Sequence, residues 1–327
     1  MKAVFRLRKI LTPMAALLLP LTCLLTMCWA GDRKAENYIK WVDFTPTYTV
    51  LHAAMQADID TVESEAHLDW IEALAYLAVK NGGSFARCGT RDIAALKERV
   101  ARGESLSAEM AGNKYYDYYY EAYSAVLGRF LGGYQWKHDD IVETGYGLIA
   151  FSPIARGYSY SHYDDFGSSR SYGFRREHLG NDLLASVGTP VIAVEGGTVE
   201  ALGWNQYGGW RIGIRSDDGL RYYYYAHLRR GHPYAGDLAE GDYVTAGDVI
   251  GYVGMTGYST VEDTNGMSVP HLHFGIQLIF DESQQDGNGE IWIDAYPIVQ
   301  LLSGRRSSVV QQADGEYIRR YEFIPIE

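Results

Sequence analysis

The second half of the chain is built from short strand-forming segments, and this pattern limits the fold more than any other feature. The segments are residues 191–194, 197–202, 210–215, 221–228 and 249–253. Asp217-Asp218-Gly219 between two of them is a hairpin signal. No helical stretch separates the segments, so we expect an antiparallel sheet and not β-α-β units.

The first half has a helical pattern instead. Apolar residues recur at spacings of three and four within residues 53–62, 68–79 and 93–100. The chain is therefore predicted to be an α+β protein, with an N-terminal helical region followed by an antiparallel, sheet-rich domain.

A tyrosine-rich segment, residues 115–123, places four tyrosines on one helical stripe: Tyr116, Tyr119, Tyr120 and Tyr123. Such a stripe could form an aromatic surface for a sugar or a peptide. The interpretation we favour is a helix that packs through its tyrosine rings and leaves the hydroxyls at the rim.

Composition shifts divide the chain into four predicted parts. These are a signal peptide or membrane anchor (1–31), a helical domain (33–136), a connecting segment (137–177) and a C-terminal domain with an extension (178–327). The connecting segment contains a long stretch rich in Gly, Ser and Tyr that carries Arg170, Arg175 and Arg176. Long loops in compact domains are often functional, so we expect this one to run into the active face.

The N-terminus reads as an export signal. Basic residues precede the apolar segment 10–30, which ends in small residues, the order typical of a signal peptide. The apolar segment is also about 20 residues long, enough to cross a bilayer, so an uncleaved anchor through residues 10–30 is equally open. Met27 before Cys28 argues against a lipoprotein.

Charge and cysteine content exclude some functions. The formal net charge of −12 argues against nucleic acid or an anionic membrane surface as a partner. Two of the three cysteines lie in the apolar segment, which leaves Cys88 alone in the exported part. An internal disulfide or a cysteine-based metal site is therefore excluded there.

Two histidines lie two residues apart in the strand-forming segment 270–276. Residues i and i+2 of a strand point to the same face, so His271 and His273 emerge together while Leu272 and Phe274 face the core. Imidazole is a common metal ligand and general base. The pair alone also fits two histidines on a half-exposed strand.

Three further residues strengthen the case for a metal site. His178 and Asp182 lie four apart with a glycine between them, and His227 ends a strand. A catalytic zinc needs three protein ligands and one open position. His178, Asp182 and one histidine of the pair meet that need, which leaves the other histidine and His227 for acid–base or oxyanion roles.

Five motifs follow one another in register. They are His178 to Asp182, Gly188-Thr189-Pro190-Val191, Tyr225-Ala226-His227-Leu228, the glycine-containing segment 241–251, and His271 to Phe274. Together they make residues 178–277 similar to the lysostaphin-type zinc metallopeptidase domain, a family that cleaves peptide bridges of bacterial cell walls. The resemblance implies one Zn²⁺ per chain, held by His178, Asp182 and His273. It makes His271 and His227 the catalytic histidines, and we assign His271 as general base and His227 to the oxyanion, although the sequence leaves their order open.

The resemblance implies an exported zinc-dependent endopeptidase in the bacterial cell envelope, membrane-anchored or secreted. Its partners would be the stem or cross-bridge peptides of peptidoglycan, cleaved by a zinc-activated water. The alternative is a catalytically inactive scaffold that binds or activates another cell-wall hydrolase. Because all five site residues are present, the enzyme is favoured. A general peptide hydrolase unrelated to the wall is a third, weaker option.

Two departures from the family bear on specificity. Segment 258–269 is longer than the usual loop, and segment 203–211 is richer in aromatic residues. The longer loop could narrow or roof the groove, which puts the usual glycine-bridge specificity in doubt. The aromatic segment could form a groove wall that binds an extended peptide. Packing of a hairpin explains the aromatic residues equally well. The candidate groove residues are Asn181, Trp204, Tyr207, Trp210 and Tyr258.

Overall fold

The computed structural model describes residues 38–138, 141–171 and 175–326. The predicted signal peptide or anchor lies outside these residues, as do Cys23 and Cys28. Within the described residues, each helix is too short or too polar to cross a membrane. Cys88 is a free thiol.

Five helices make up the N-terminal region. They are α1 (Tyr48–Thr61), α2 (Trp70–Lys80), α3 (Thr90–Ala101), α4 (Leu106–Glu109) and α5 (Lys114–Leu127). Polar caps set where two of them begin: the Asp69 side chain accepts from the backbone N–H of Glu72, and Asn113 caps α5. Three tyrosines of α5 are buried whereas Tyr120 is 43% exposed, which supports packing through the tyrosine rings.

The rest of the chain is mainly strands. These are β1 (Leu131–His138), β2 (Ile141–Leu148), β3 (Ser161–His162), β4 (Ser169–Ser171), β5 (Arg175–Glu177), β6 (Asn181–Leu184), β7 (Pro190–Ile192), β8 (Gly197–Asn205), β9 (Gly209–Ser216), β10 (Arg221–Ala226), β11 (Tyr243–Val244), β12 (Val249–Tyr252), β13 (His271–Leu278), β14 (Ile291–Ile293), β15 (Val309–Gln311), β16 (Tyr317–Arg319) and β17 (Glu322–Ile326). One further helix, α6 (Tyr296–Leu302), lies between β14 and β15. The strand pairs described are antiparallel, so the predicted α+β class is confirmed.

The main sheet positions the site. Its strand order is β11-β8-β9-β10-β13-β6-β3, with β14 also paired to β13. Leu272, Phe274 and Ile276 of β13 are fully buried, and His271 and His273 alternate with them on the opposite face. The register sets His273 opposite Asp182 of β6 and opposite Ala226 of β10.

The segment predicted to be a connection, 137–177, contains more structure than expected. β1 and β2 form a hairpin across its start, and β17 pairs with β1 to make a three-stranded sheet. Phe323 of β17 packs edge-on against Phe151 and Trp136. This pairing was missed because it joins strands whose paired residues are 185 or more positions apart in sequence, whereas turn and periodicity signals are local.

The helices contact the main sheet directly. Arg221 at the start of β10 is fully buried, and its Nη1 donates to the carbonyl oxygen of Ala125 in α5 at 2.5 Å. Residues 39–327 form one compact unit. The predicted boundaries between a helical domain and a C-terminal domain stay predictions.

Candidate active site

Three candidate ligand atoms converge at the join of β6 and β13. His178 Nε2 lies 2.8 Å from His273 Nδ1 and 3.1 Å from Asp182 Oδ1. His273 Nδ1 lies 3.3 Å from the same carboxylate oxygen. The structure thus brings together the three residues that the sequence analysis singled out as a metal site.

The geometry of these atoms fits zinc. Tetrahedral zinc with bonds of about 2.0–2.1 Å has neighbouring donors about 3.3 Å apart; two of the three separations, 3.1 and 3.3 Å, are close to that value, and the two imidazole nitrogens lie closer, at 2.8 Å. Two imidazoles and one carboxylate are also a donor set of catalytic zinc sites, which keep a fourth position open. Gly180 leaves room for the cluster, because a Cβ there would lie 2.7 Å from the His273 ring.

Two residues outside the triad orient it. The Nδ1 of His178 lies 3.1 Å from the carbonyl oxygen of Asp165, which leaves Nε2 for the cluster. Arg170 Nη2 lies 2.5 Å from Asp165 Oδ2 and 3.2 Å from Asp182 Oδ2. From the sequence, Arg170 is expected only in a loop near the site, and no motif marks Asp165. The Gly-, Ser- and Tyr-rich loop was the one signal that pointed to them.

Electrostatics hold Asp182 as a carboxylate. Burial raises the pKa of Asp182, but the hydrogen-bonding imidazoles of His178 and His273 outweigh it and leave the pKa well below the usual range. Burial lowers the pKa of His178, yet Asp165 and Asp182 more than compensate and raise it to about 9. Burial is the main cause that lowers the pKa of His273. A deprotonated carboxylate is the form that binds a metal ion.

His227 and His271 flank the triad, with ring centroids 4.7 Å apart. Each Nδ1 lies 2.8 Å from a backbone carbonyl oxygen, that of Thr256 for His227 and that of Val269 for His271. Because a carbonyl only accepts, each Nδ1 carries a proton and each neutral ring can accept at Nε2. His227 has a φ of 60°, a conformation rare outside glycine that occurs at functional sites.

Burial, and then the nearby His271 and His273, lower the pKa of His227 well below its usual value. His227 is therefore a neutral imidazole at physiological pH.

A groove of about 580 Å³ passes the site. Its lining includes His178, His227 and His273, and also Tyr207 and Arg176. Its floor is the outer face of the main sheet.

The candidate groove residues separate into two groups. Tyr207 lines the groove, and the ring of Tyr258 stacks at 6.0 Å from that of His227. Trp204 and Trp210 pack edge to face at 5.7 Å, which is hairpin packing. Asn181 is fully buried and pairs with the core residue Phe274, so it faces the interior.

Trp210 is held in place by the long loop. Its Nε1 donates to Asp263 Oδ1 at 2.8 Å, and the same oxygen accepts from the backbone N–H of Gly231. Segment 258–269 thus fixes the position of Trp210 in the aromatic-rich segment 203–211.

An antiparallel sheet that gathers two imidazoles and a carboxylate beside two further histidines defines a candidate metallohydrolase domain. Residues 176–286 match peptidase family M23, which confirms the resemblance for this segment.

Three comparisons place this domain among known proteins. The L-Ala–D-Glu endopeptidase of Bacillus subtilis is 40% identical over 162 residues, which cover 50% of this chain and 44% of that protein. Lysostaphin of Staphylococcus simulans is 41% identical over 98 residues, 30% of this chain and 17% of that protein. The matches therefore span less than half the length of these curated relatives.

A solved structure shares the fold over a longer stretch. It is named for a glycyl-glycine endopeptidase lytM of Ruminococcus gnavus, has a TM-score of 0.57 and 24% identity, and covers 81% of this chain and 90% of that chain.

Proposed function

We propose that this protein is an exported zinc-dependent endopeptidase that hydrolyses peptide bonds in the stem or cross-bridge peptides of bacterial peptidoglycan. The observation that carries the proposal is the cluster of His178, Asp182 and His273, whose ligand atoms lie 2.8–3.3 Å apart beside a groove. The names of the relatives, an L-Ala–D-Glu endopeptidase and lysostaphin, support the substrate class. Export rests on the signal-like sequence of residues 1–31.

Zinc bound by the three ligands would polarise the scissile carbonyl and make water nucleophilic near neutral pH. His271 is our general base: it takes a proton at Nε2 because Nδ1 already donates to Val269. His227 is held the same way by Thr256. Since its pKa is low, it starts neutral and can donate to a developing oxyanion only after it takes up a proton.

Metal content and wall hydrolysis test this proposal separately. The purified full chain should carry about one zinc per molecule, and His273→Ala should lose it. His271→Ala should keep zinc but release no new amino groups from isolated cell wall. His232→Ala is the matched control, because His232 lies outside the cluster, where it pairs with Glu316, and should keep both properties.

Two results would contradict the proposal. Full zinc occupancy in His273→Ala would refute the ligand assignment. A zinc-loaded wild type that releases nothing from any type of wall would favour the inactive scaffold, a reading that the complete set of five site residues makes the weaker one.

A further inference from the structure

The groove contains an arginine, Arg211, that forms no ion pair with the described residues. Arg211 of β9 lines the groove together with Tyr224 of β10 and His273 of β13, and these three strands are neighbours in the sheet. The distance from β9 across β10 to β13 is two strand spacings, or about 10 Å. An extended peptide rises about 3.3 Å per residue, so Arg211 lies within about three residues of a bond held at the metal.

The guanidinium of Arg211 lacks the partners that its neighbours have. Its Nε is shielded from solvent and has no hydrogen-bond partner among the described residues. Arg215, two residues on and on the same face of β9, is paired with Glu200 at 2.9 Å. A shielded donor without a partner costs free energy, which a ligand with an acceptor would recover.

The carboxylates of the groove do not neutralise Arg211. Glu200 is bound by Arg215, and Glu290 accepts from Trp292 Nε1 at 2.6 Å. Glu177 and Asp286 are exposed. The cation is thus left for something that enters the groove.

Tyr224 adds a second donor beside Arg211. Its hydroxyl oxygen already accepts from Asn205 Nδ2 at 3.3 Å, so its O–H can donate into the groove. Burial raises the pKa of Tyr224, and the hydrogen bond from Asn205 and the charges of Arg211 and Arg176 oppose that rise. The ring of Tyr224 can lie so close to the backbone because residue 208 is glycine, where a Cβ would meet the hydroxyl at 2.2 Å.

Arg176 closes the same part of the groove. Its guanidinium stacks between the rings of Tyr207 and Tyr258, at 5.4 and 5.1 Å from their centroids, and donates to the Tyr258 hydroxyl. Its Nε is also shielded and has no hydrogen-bond partner within the part of the chain that the structure describes. The groove therefore offers two guanidinium groups and a hydroxyl to one occupant.

We propose that Arg211, with the Tyr224 hydroxyl beside it, binds a free carboxylate of the substrate within about three residues of the scissile bond. A carboxylate is the group whose geometry matches the guanidinium fork. An uncharged glycine segment would leave Arg211 shielded and unpaired, so the enzyme discriminates against it. This inference rests on the proposed function and narrows its substrate class to anionic stem peptides.

The test uses two peptides that differ only in one group. Both contain L-Ala followed by a D-residue, which is D-Glu with a free carboxylate in one and its carboxamide in the other. We expect the wild-type full chain to prefer the carboxylate in kcat/KM by about 10- to 100-fold, the range for a hydrogen bond to a charged group. Arg211→Gln should lower this preference to within about threefold, because kcat/KM for the carboxylate peptide falls.

Arg102→Gln is the control, because Arg102 is paired with Glu104 at 3.1 Å and does not line the groove. It should keep the full preference. Equal cleavage of both peptides by the wild type, or an undiminished preference in Arg211→Gln, would overturn the inference. Activity on the carboxamide peptide shows that the Arg211 variant is folded.

Fluorescence anisotropy with the same peptides separates this inference from the proposed function. Tighter binding of the carboxylate by the wild type, lost in Arg211→Gln, supports the carboxylate site even if neither peptide is cleaved, in which case only the proposed function fails. Equal binding together with equal cleavage rejects the carboxylate site and leaves the proposed function intact. Equal binding without any cleavage rejects both.

Discussion

Replacing the buried Arg221 with methionine should destabilise the whole protein. Arg221 is fully buried and makes two parallel hydrogen bonds to the Glu195 carboxylate, at 2.9 and 3.0 Å. It also donates to the Ala125 carbonyl and to Asp218 Oδ2 at 2.6 Å. The substitution keeps an unbranched side chain in the cavity but removes all of these bonds at once.

The loss of stability in Arg221→Met depends on the partners that Glu195 retains. Glu195 is 5% exposed and would keep only the Tyr223 hydroxyl, at 2.5 Å, and the more distant Arg129, at 3.7 Å. Breaking a buried ion pair from one side costs about 3–5 kcal/mol, because the other charge stays buried. For a chain of this size, that corresponds to a fall in Tm of about 4–7 °C.

Urea unfolding followed by tryptophan fluorescence measures this cost. Glu195→Gln combined with Arg221→Met should cost clearly less than the sum of the two single changes, since the double variant no longer buries an unpaired carboxylate at position 195. Arg215→Met, which breaks the half-exposed pair with Glu200, should cost less than about 1 kcal/mol. A loss below about 1 kcal/mol in Arg221→Met, or strict additivity in the double variant, would refute the reasoning.

Three further changes test other parts of the molecule. Gly180→Ala should weaken zinc binding about 10- to 100-fold, because the new Cβ would displace the His273 ring. Gly304→Ala should leave zinc binding unchanged, because the nearest atom to a Cβ there is at 3.7 Å. Equal zinc affinities of the two variants would contradict the crowding argument. Phe323→Ala empties a fully packed position and should cost about 3–5 kcal/mol in urea unfolding, whereas a cost below about 1 kcal/mol would mean that β17 contributes little. Burial lowers the pKa of His162 to about 4, below its unfolded value of about 6.5, so the free energy of unfolding should fall as the pH drops from about 6.5 to 4. His162→Gln should flatten this dependence of stability on pH. An unchanged dependence would mean that other groups cause it.

The ligand set was predictable because its signals are local. A two-residue spacing fixes the common face of His271 and His273 on any strand, and His178 and Asp182 lie within one short segment. The structure adds the register that brings these segments together, with His273 opposite Asp182.

The groove was harder to predict, because its residues meet only across strands. Tyr222 lies over Gly213 of the neighbouring strand, where a Cβ would come within 1.8 Å of its hydroxyl, and Trp292 lies over Gly275 in the same way. Each of these contacts depends on the register between paired strands, which cannot be read from the sequence. Arg211 was passed over for the same reason: its neighbours Tyr224 and Asn205 come from two other strands.

The helical region and the sheet depend on each other through one buried group. Arg221 belongs to β10, the strand that also contacts His273 through Ala226, while its guanidinium satisfies a carbonyl of α5. Without α5, this guanidinium would lose that acceptor and gain exposure, which would weaken its hold on Glu195. A helical region that merely tethered the sheet-rich domain would need no such bond, so the contact indicates that α5 supports the sheet that carries Asp182 and His273 of the candidate metal site.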